Sequence, residues 1–244
     1  MKQNKKQKII FIIAAVLIVS GLGVLLYPQF TAFLYRQNVA KQKEAFLEQI
    51  HSNAQAGEAS AAPSPELEAL YQELKRQNEE LFEEMQRDLN DPFSYQQPAV
   101  SLAQYGLTDN VIGFLSIEKM GIELPIYLGA NEQNLSLGAA HLTETSYPIG
   151  GENTNCVLAA HRGYSKAPMF RQIQLLEPGD VVTIQNFRET LQYQVVETEV
   201  ILPTQVDHLL IRPGQDMLTL ITCHPYPTNT HRYVVYCQRI GGEE

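Results

Sequence analysis

Two strand-like runs in this chain end on reactive side chains. The run MLTLIT stops at Cys223, ahead of His224-Pro225-Tyr226-Pro227, and the run CVLAA stops at His161, ahead of Arg162-Gly163. A cysteine attacks as its thiolate, and a neighbouring imidazole or guanidinium favours that form. Cys223 and His161 are therefore a candidate nucleophile and proton carrier. Arg232 follows Cys223 across a turn that contains proline and asparagine. A hairpin there carries the guanidinium back towards the thiol, where it can orient substrate or hold the oxyanion of an acyl transfer. Plainer roles compete with these. A cysteine is most often a small buried hydrophobe, which is the expectation for Cys156 and Cys237 inside their apolar runs. His161 can equally cap a strand, and His224 and His231 can simply line the same surface. A metal site built from His161, Cys223, His224 and His231 is disfavoured, because an adjacent Cys-His pair lacks the usual ligand spacing.

The elements that must position these groups are mostly strands. Val111–Ile117, Ile122–Leu128, Val157–Ala160, Val181–Ile184, Leu191–Val200, Met217–Cys223 and Tyr233–Cys237 are short apolar or alternating runs. Asn131-Glu132, Gly150-Gly151, Pro178-Gly179 and Pro213-Gly214 separate them. The outcome expected from seven or eight such strands is a mainly β fold, a closed barrel without exposed edges. One short helix is expected near Asn134–Ala140.

Before the barrel the chain is helical. Leu67, Leu70, Tyr71, Leu74, Leu81, Met85 and Leu89 recur at helical spacing. Ser64 and Pro65 fit the N-cap and first turn, and Asn90-Asp91-Pro92 is expected to end the helix. Residues 51–65, rich in Ser, Ala, Gly and Pro, predict a flexible link. After the helix, Phe93 and Tyr95 are expected to staple an irregular segment to the core.

At the N-terminus, Ile9–Tyr27 carries no charge, and Pro28 follows. As a helix it rises roughly 28 Å, matching a hydrocarbon core of roughly 30 Å. Lys2, Lys5, Lys6 and Lys8 precede it, which places the N-terminus in the cytoplasm and the remainder outside. The nearest small-x-small site, Ala54-Gln55-Ala56, lies far beyond the run, so a retained single-pass anchor is expected rather than a cleaved leader. The formal charge is −9, and the basic cluster before the run makes everything beyond it more acidic still. That field disfavours a nucleic-acid partner. Three cysteines exclude a disulfide-stapled fold, and the absence of a CxxC pair excludes a Cys-rich zinc module.

Taken in order, these segments resemble one family. TLITCHPYPTNTHRYVVYCQR (Thr219–Arg239) resembles the active-site block of sortases, and CVLAAHRGYSKAPMF (Cys156–Phe170) resembles their catalytic-histidine block. IGFLSIEKMGIELPIYLGA (Ile112–Ala130) is similar to the family's early barrel strands. Asn229-Thr230-His231-Arg232 and Asp91-Pro92-Phe93 are similar to the pilin-polymerising subgroup, class C, whose Asp-Pro-aromatic lid covers the resting site. The resemblance implies an eight-stranded sortase barrel and a cysteine transpeptidase with Cys223 as nucleophile, His161 as catalytic histidine and Arg232 as catalytic arginine. Asp91, Pro92 and Phe93 would form the lid, and Thr222, His224, Asn229 and His231 would border the substrate groove. The reaction implied is cleavage of an LPxTG-like sorting signal between Thr and Gly through a thioester. The acyl group then passes to a pilin lysine or a cell-wall peptide amine, with slow hydrolysis as a side reaction and no cofactor.

The implied partners are a pilin or surface protein bearing that signal, the acceptor amine and the lipid membrane. The expected organisation is a basic tail at 1–8, a membrane helix at 9–28, and an extracellular helical region at 29–89. A lid loop at 90–108, a catalytic barrel at 109–240 and a polar tail at 241–244 complete it. The sequence departs from the subgroup twice. His224 stands where many members have a hydroxyl residue, and no second apolar run follows the barrel. A wall-anchoring sortase that does not polymerise, and a catalytically idle scaffold, are the alternatives.

Overall fold

The computed structural model describes residues 2–55, 64–86, 89–108, 110–164 and 166–241. Helix α1 (Lys2–Gln55) runs without a break through Pro28. Proline in a helix interior removes one backbone hydrogen bond, which an apolar, membrane-type helix tolerates. Its apolar side chains from Ile10 to Leu34 are exposed, and the helix fits a membrane anchor. Beyond them the same helix packs on the barrel. Val39 and Phe46 are buried, Phe46 meets Phe114 edge-on at 5.5 Å, and Tyr35 donates its hydroxyl to the Leu137 carbonyl at 2.8 Å. Of the link expected over 51–65, residues 51–55 are the end of α1, and 56–63 lie outside the described residues.

Helix α2 (Pro65–Glu83) starts as its sequence dictates: the Leu67 amide donates to the Ser64 hydroxyl at 3.2 Å, and Glu66 and Glu68 occupy the first turn. Leu67, Leu70 and Leu74 are fully buried. The helix ends earlier than its periodicity predicts. Met85 and Gln86 take positive φ of 58° and 46°. The Gln86 side chain donates to the Glu144 carbonyl at 3.1 Å and accepts from the Ile211 amide at 2.6 Å. These bonds to distant loops replace the last helical turns, and Met85 is left exposed.

Eight strands follow: β1 (Val111–Ile117), β2 (Ile122–Leu128), β3 (Ala139–His141), β4 (Thr154–Ala159), β5 (Val181–Asn186), β6 (Thr190–Ile201), β7 (Asp216–His224) and β8 (His231–Ile240). They close into a barrel in the order β1-β2-β3-β4-β7-β8-β6-β5, and β5 returns to β1. This is the closed eight-stranded barrel the sequence led us to expect, with the β1 and β2 boundaries as read. The expected helix near Asn134–Ala140 is a shorter one, α3 (Glu132–Leu137), and Ala139-Ala140-His141 is instead a strand. Three residues are too few for a period to register.

The central strands are buried on both faces, which explains their continuous apolar runs. Along β7, Leu218 and Leu220 join one core cluster, while Met217 and Ile221 join another on the opposite face. His141 at the end of β3 is buried, stacked on Tyr147 at 4.9 Å, with Nε2 at 3.1 Å from the carbonyls of Thr145 and Ser146.

Burial pushes the His141 imidazole down to about 4. An unfolded histidine titrates near 6.5, so the unfolded chain binds this proton first as the pH falls. The stability conferred by neutral His141 is thus present above about 6.5 and is lost towards about 4, by on the order of 3 kcal/mol. Melting curves from pH 7.5 to 4.5 should show the decline, and His141→Gln should flatten it. An equally steep decline in that variant would assign the acid sensitivity elsewhere.

Candidate active site

Two parallel strands deliver the candidate nucleophile and proton carrier to one end of the barrel. In the β4–β7 ladder Ala159 stands opposite Ile221, and the Ala160 amide continues the pairing to the Ile221 carbonyl at 3.3 Å. Parallel strands that remain in register leave the sheet together. His161 and Cys223 accordingly follow the ladder at the same end. The β7–β8 hairpin supplies the third group, because Cys223 faces Arg232 directly across the antiparallel pair. Directly opposed residues of such a pair have Cβ atoms about 5 Å apart.

The other groove candidates separate into two sets. Thr222 is fully buried, and its hydroxyl donates to the Ala160 carbonyl at 2.6 Å. Its side chain ties β7 to the chain just beyond β4 and does not line an open surface. His224 and His231 oppose each other in the hairpin, just beyond the Cys223–Arg232 pair. The Arg162 guanidinium donates to His224 Nδ1. Burial and then the Arg162 charge hold the His224 imidazole below its ordinary range. His231 Nδ1 and the Thr230 hydroxyl share a hydrogen bond at 2.9 Å. Asn229 turns the hairpin with φ of 56° and offers its carbonyl to Arg232 Nη1 at 3.1 Å.

The segment before β1 closes over this end. Pro92–Ser94 form one 3-10 turn, and Asp91 ahead of it grips Arg232 with both oxygens, Nε donating at 2.8 Å and Nη2 at 2.7 Å. Arg232 Nη1 is engaged by the carbonyls of Asn229 and His231, so every guanidinium nitrogen is occupied. The Phe93 ring lies 5.0 Å from the Arg232 guanidinium carbon and 6.3 Å from the His161 ring. Tyr95, expected to be a second staple, is exposed. Gln96 holds the segment instead: its side-chain oxygen accepts from the Thr143 amide at 2.9 Å, and its own amide donates to the Ala130 carbonyl at 3.1 Å. A lone glutamine in a loop carries no sequence signal for that role.

Burial sets the electrostatics of the closed site. It raises the Cys223 thiol above its ordinary value, Arg232 opposing the shift and Asp91 adding to it. It also lowers the His161 imidazole, with Glu132 opposing. Both shifts favour the neutral partners, thiol and imidazole, over the ion pair. Tyr164 also stacks on His161, at 5.6 Å, a neighbour that spacing did not suggest. Cys156 and Cys237 are buried, and burial pushes both thiols far up, which leaves Cys223 as the chemically accessible cysteine. No group of three or more His, Cys, Asp or Glu side chains converges for a metal ion among the described residues.

This arrangement coincides with a known domain: the sortase domain matches residues 115–240, more than half of the chain. The chain belongs to the sortase family. As a sortase it is a cysteine transpeptidase. It is 29% identical over 180 residues to Sortase A of Bacillus anthracis, an alignment covering 70% of this chain and 84% of that one. Among solved sortases, Streptococcus agalactiae Sortase C1 superposes with a TM-score of 0.72 at 31% identity, covering 84% of this chain and 99% of that chain. The pilus-related Sortase C of Group B Streptococcus gives 0.61 at 32% identity, covering 80% and 96%. The structural neighbours of this sortase are thus class C pilus enzymes.

Proposed function

We propose that this sortase polymerises pilins, cutting an LPxTG-like signal between Thr and Gly and joining the new acyl end to a lysine amine of the next pilin. The observation that carries the chemistry is the convergence of Cys223, His161 and Arg232 at one barrel end beneath Asp91 and Phe93. The pilus origin of its structural neighbours supports the choice of substrate. In this reading the Cys223 thiolate attacks the Thr carbonyl, and Arg232 steadies the oxygen on which charge develops. The C–N bond to Gly breaks as His161, as imidazolium, protonates the departing amine. The thioester is then attacked by the lysine amine, whose proton passes to neutral His161, and the thiolate leaves as the amide forms.

The anchor supports the same reading. Lys2, Lys5, Lys6 and Lys8 orient the N-terminus to the cytoplasm and the barrel to the outer face. Tyr35, whose hydroxyl bonds the Leu137 carbonyl and whose ionisation is opposed by burial and by Tyr127 and Tyr164, stands only about 12 Å of helix beyond Tyr27. The catalytic end of the barrel is therefore held near the bilayer, where a membrane-tethered substrate presents its signal.

Mass spectrometry of the full-length chain in detergent tests this, using a pilin domain that ends in the signal together with a second, lysine-bearing pilin domain. A thioester on Cys223 and lysine-linked dimers are expected. Transfer to a wall-peptide amine alone would indicate wall anchoring without polymerisation, and no adduct at all would sink the transpeptidase assignment to Cys223.

A further inference from the structure

Beside the candidate catalytic groups lies a second cleft, of about 430 Å³, lined by Arg162, Gly163, Arg171 and Tyr226. We propose that it is a subsite for a carboxylate carried by the amine partner of the transfer, either the peptide leaving from the cut bond or the peptide bringing the new amine. The proposal rests on the reading of Cys223 and His161 given above.

Charge is the first argument. The chain is strongly acidic, and ion pairs take up Arg76, Arg188, Arg212, Arg232 and Arg239. The hydrogen bonds of Arg162 and Arg171 run to neutral acceptors, His224 Nδ1 and the Tyr164 carbonyl at 2.5 Å. Among the described residues that line the cleft none is a carboxylate, so its two guanidinium groups are a matched receptor for one, because each presents planar paired donors.

Shape is the second. A Cβ on Gly163 would lie 2.0 Å from the Tyr226 ring, so the ring packs directly on the glycine and walls the cleft there. Tyr226 is nevertheless 62% exposed, an aromatic surface open to a peptide.

Position identifies the occupant. Arg162 directly follows His161 and touches His224, the neighbour of Cys223. Arg171 holds the carbonyl of Tyr164, whose ring stacks on His161. The cleft thus flanks the imidazole that gives a proton to the departing amine and takes one from the incoming amine. An acidic residue close to either amine falls within its reach.

Fluorescence anisotropy with the full-length chain separates the possibilities without requiring turnover. One pair of probes is the segment following the cut, carrying either Glu or Gln beside its N-terminal Gly. The other pair is a lysine peptide carrying Glu or Gln beside the acceptor. In at least one pair the Glu form should bind about tenfold more tightly, the size expected of a charge-assisted pair. Whichever pair shows the preference identifies the source of the carboxylate. Arg171→Gln and Arg162→Gln should each bring the Glu/Gln ratio towards one, and Arg171→Lys should restore part of it, with melting curves confirming that each variant is folded. Equal binding of Glu and Gln forms in both pairs, or a preference untouched by both glutamine variants, would overturn the subsite. A missing thioester would instead count against Cys223 as nucleophile, because binding is read independently of it.

Discussion

Replacing Cys223 with alanine is expected to abolish the thioester and to lower peptide transfer by on the order of 10³-fold or more, the usual consequence of deleting a covalent nucleophile. No other cysteine can stand in. Cys156 and Cys237 are buried within the barrel walls, and burial holds both as thiols. The residue is at the end of β7 and only partly enclosed, so the melting temperature should barely move while activity disappears. His161→Ala and Arg232→Ala should each cost a comparable loss, and their effects should not add to that of Cys223→Ala, because groups acting on one transition state act as a unit. Mass spectrometry of the acyl-enzyme and progress curves with a signal peptide give the readout. An acyl adduct on Cys156 or Cys237, or transfer that survives Cys223→Ala, would remove the nucleophile from this site.

The second large effect concerns access. Alkylation of Cys223 should speed up by roughly tenfold to a hundredfold in an Asp91→Ala, Phe93→Ala double variant, the range set by one half-buried, charge-assisted pair. Asp91 has 21% of its side chain exposed and Arg232 only 9%, so solvent screens their bidentate contact only in part. The sign of the pH response follows from the same geometry. Burial and Asp91 both raise the Cys223 thiol, whereas Arg232 lowers it. Removing the covering segment relieves the first two and leaves the third, so the pH midpoint of labelling should move down. Asp91→Ala and Phe93→Ala should each move the midpoint down, the first by removing a negative charge and the second by removing cover. Labelling that stays unchanged in rate and midpoint, with only a lower melting temperature, would make the segment a packing element and not a gate.

Much of this chemistry was legible in the residues themselves. An apolar run ending on a cysteine, a short turn and an arginine specify a hairpin in which Cys223 faces Arg232, because antiparallel register is decided locally by the turn. The Ser64 cap, the buried stripe of Leu67, Leu70 and Leu74, and the boundaries of β1 and β2 were readable for the same reason: each depends on neighbours a few residues away. What the chain order does not encode locally is which distant groups meet once the barrel closes. Asp91 and Arg232 are 141 positions apart, and Arg162 meets His224 across 62. Gln86 ends α2 by bonding residues in two remote loops, overriding a helical pattern that continues in the sequence. The depth of burial that keeps Cys223 and His161 neutral is likewise a property of the assembled barrel and its covering segment. Side-chain type and period thus decided which groups can react, whereas desolvation and long-range pairing, which exist only after the strands have closed, decided their charge and their exposure.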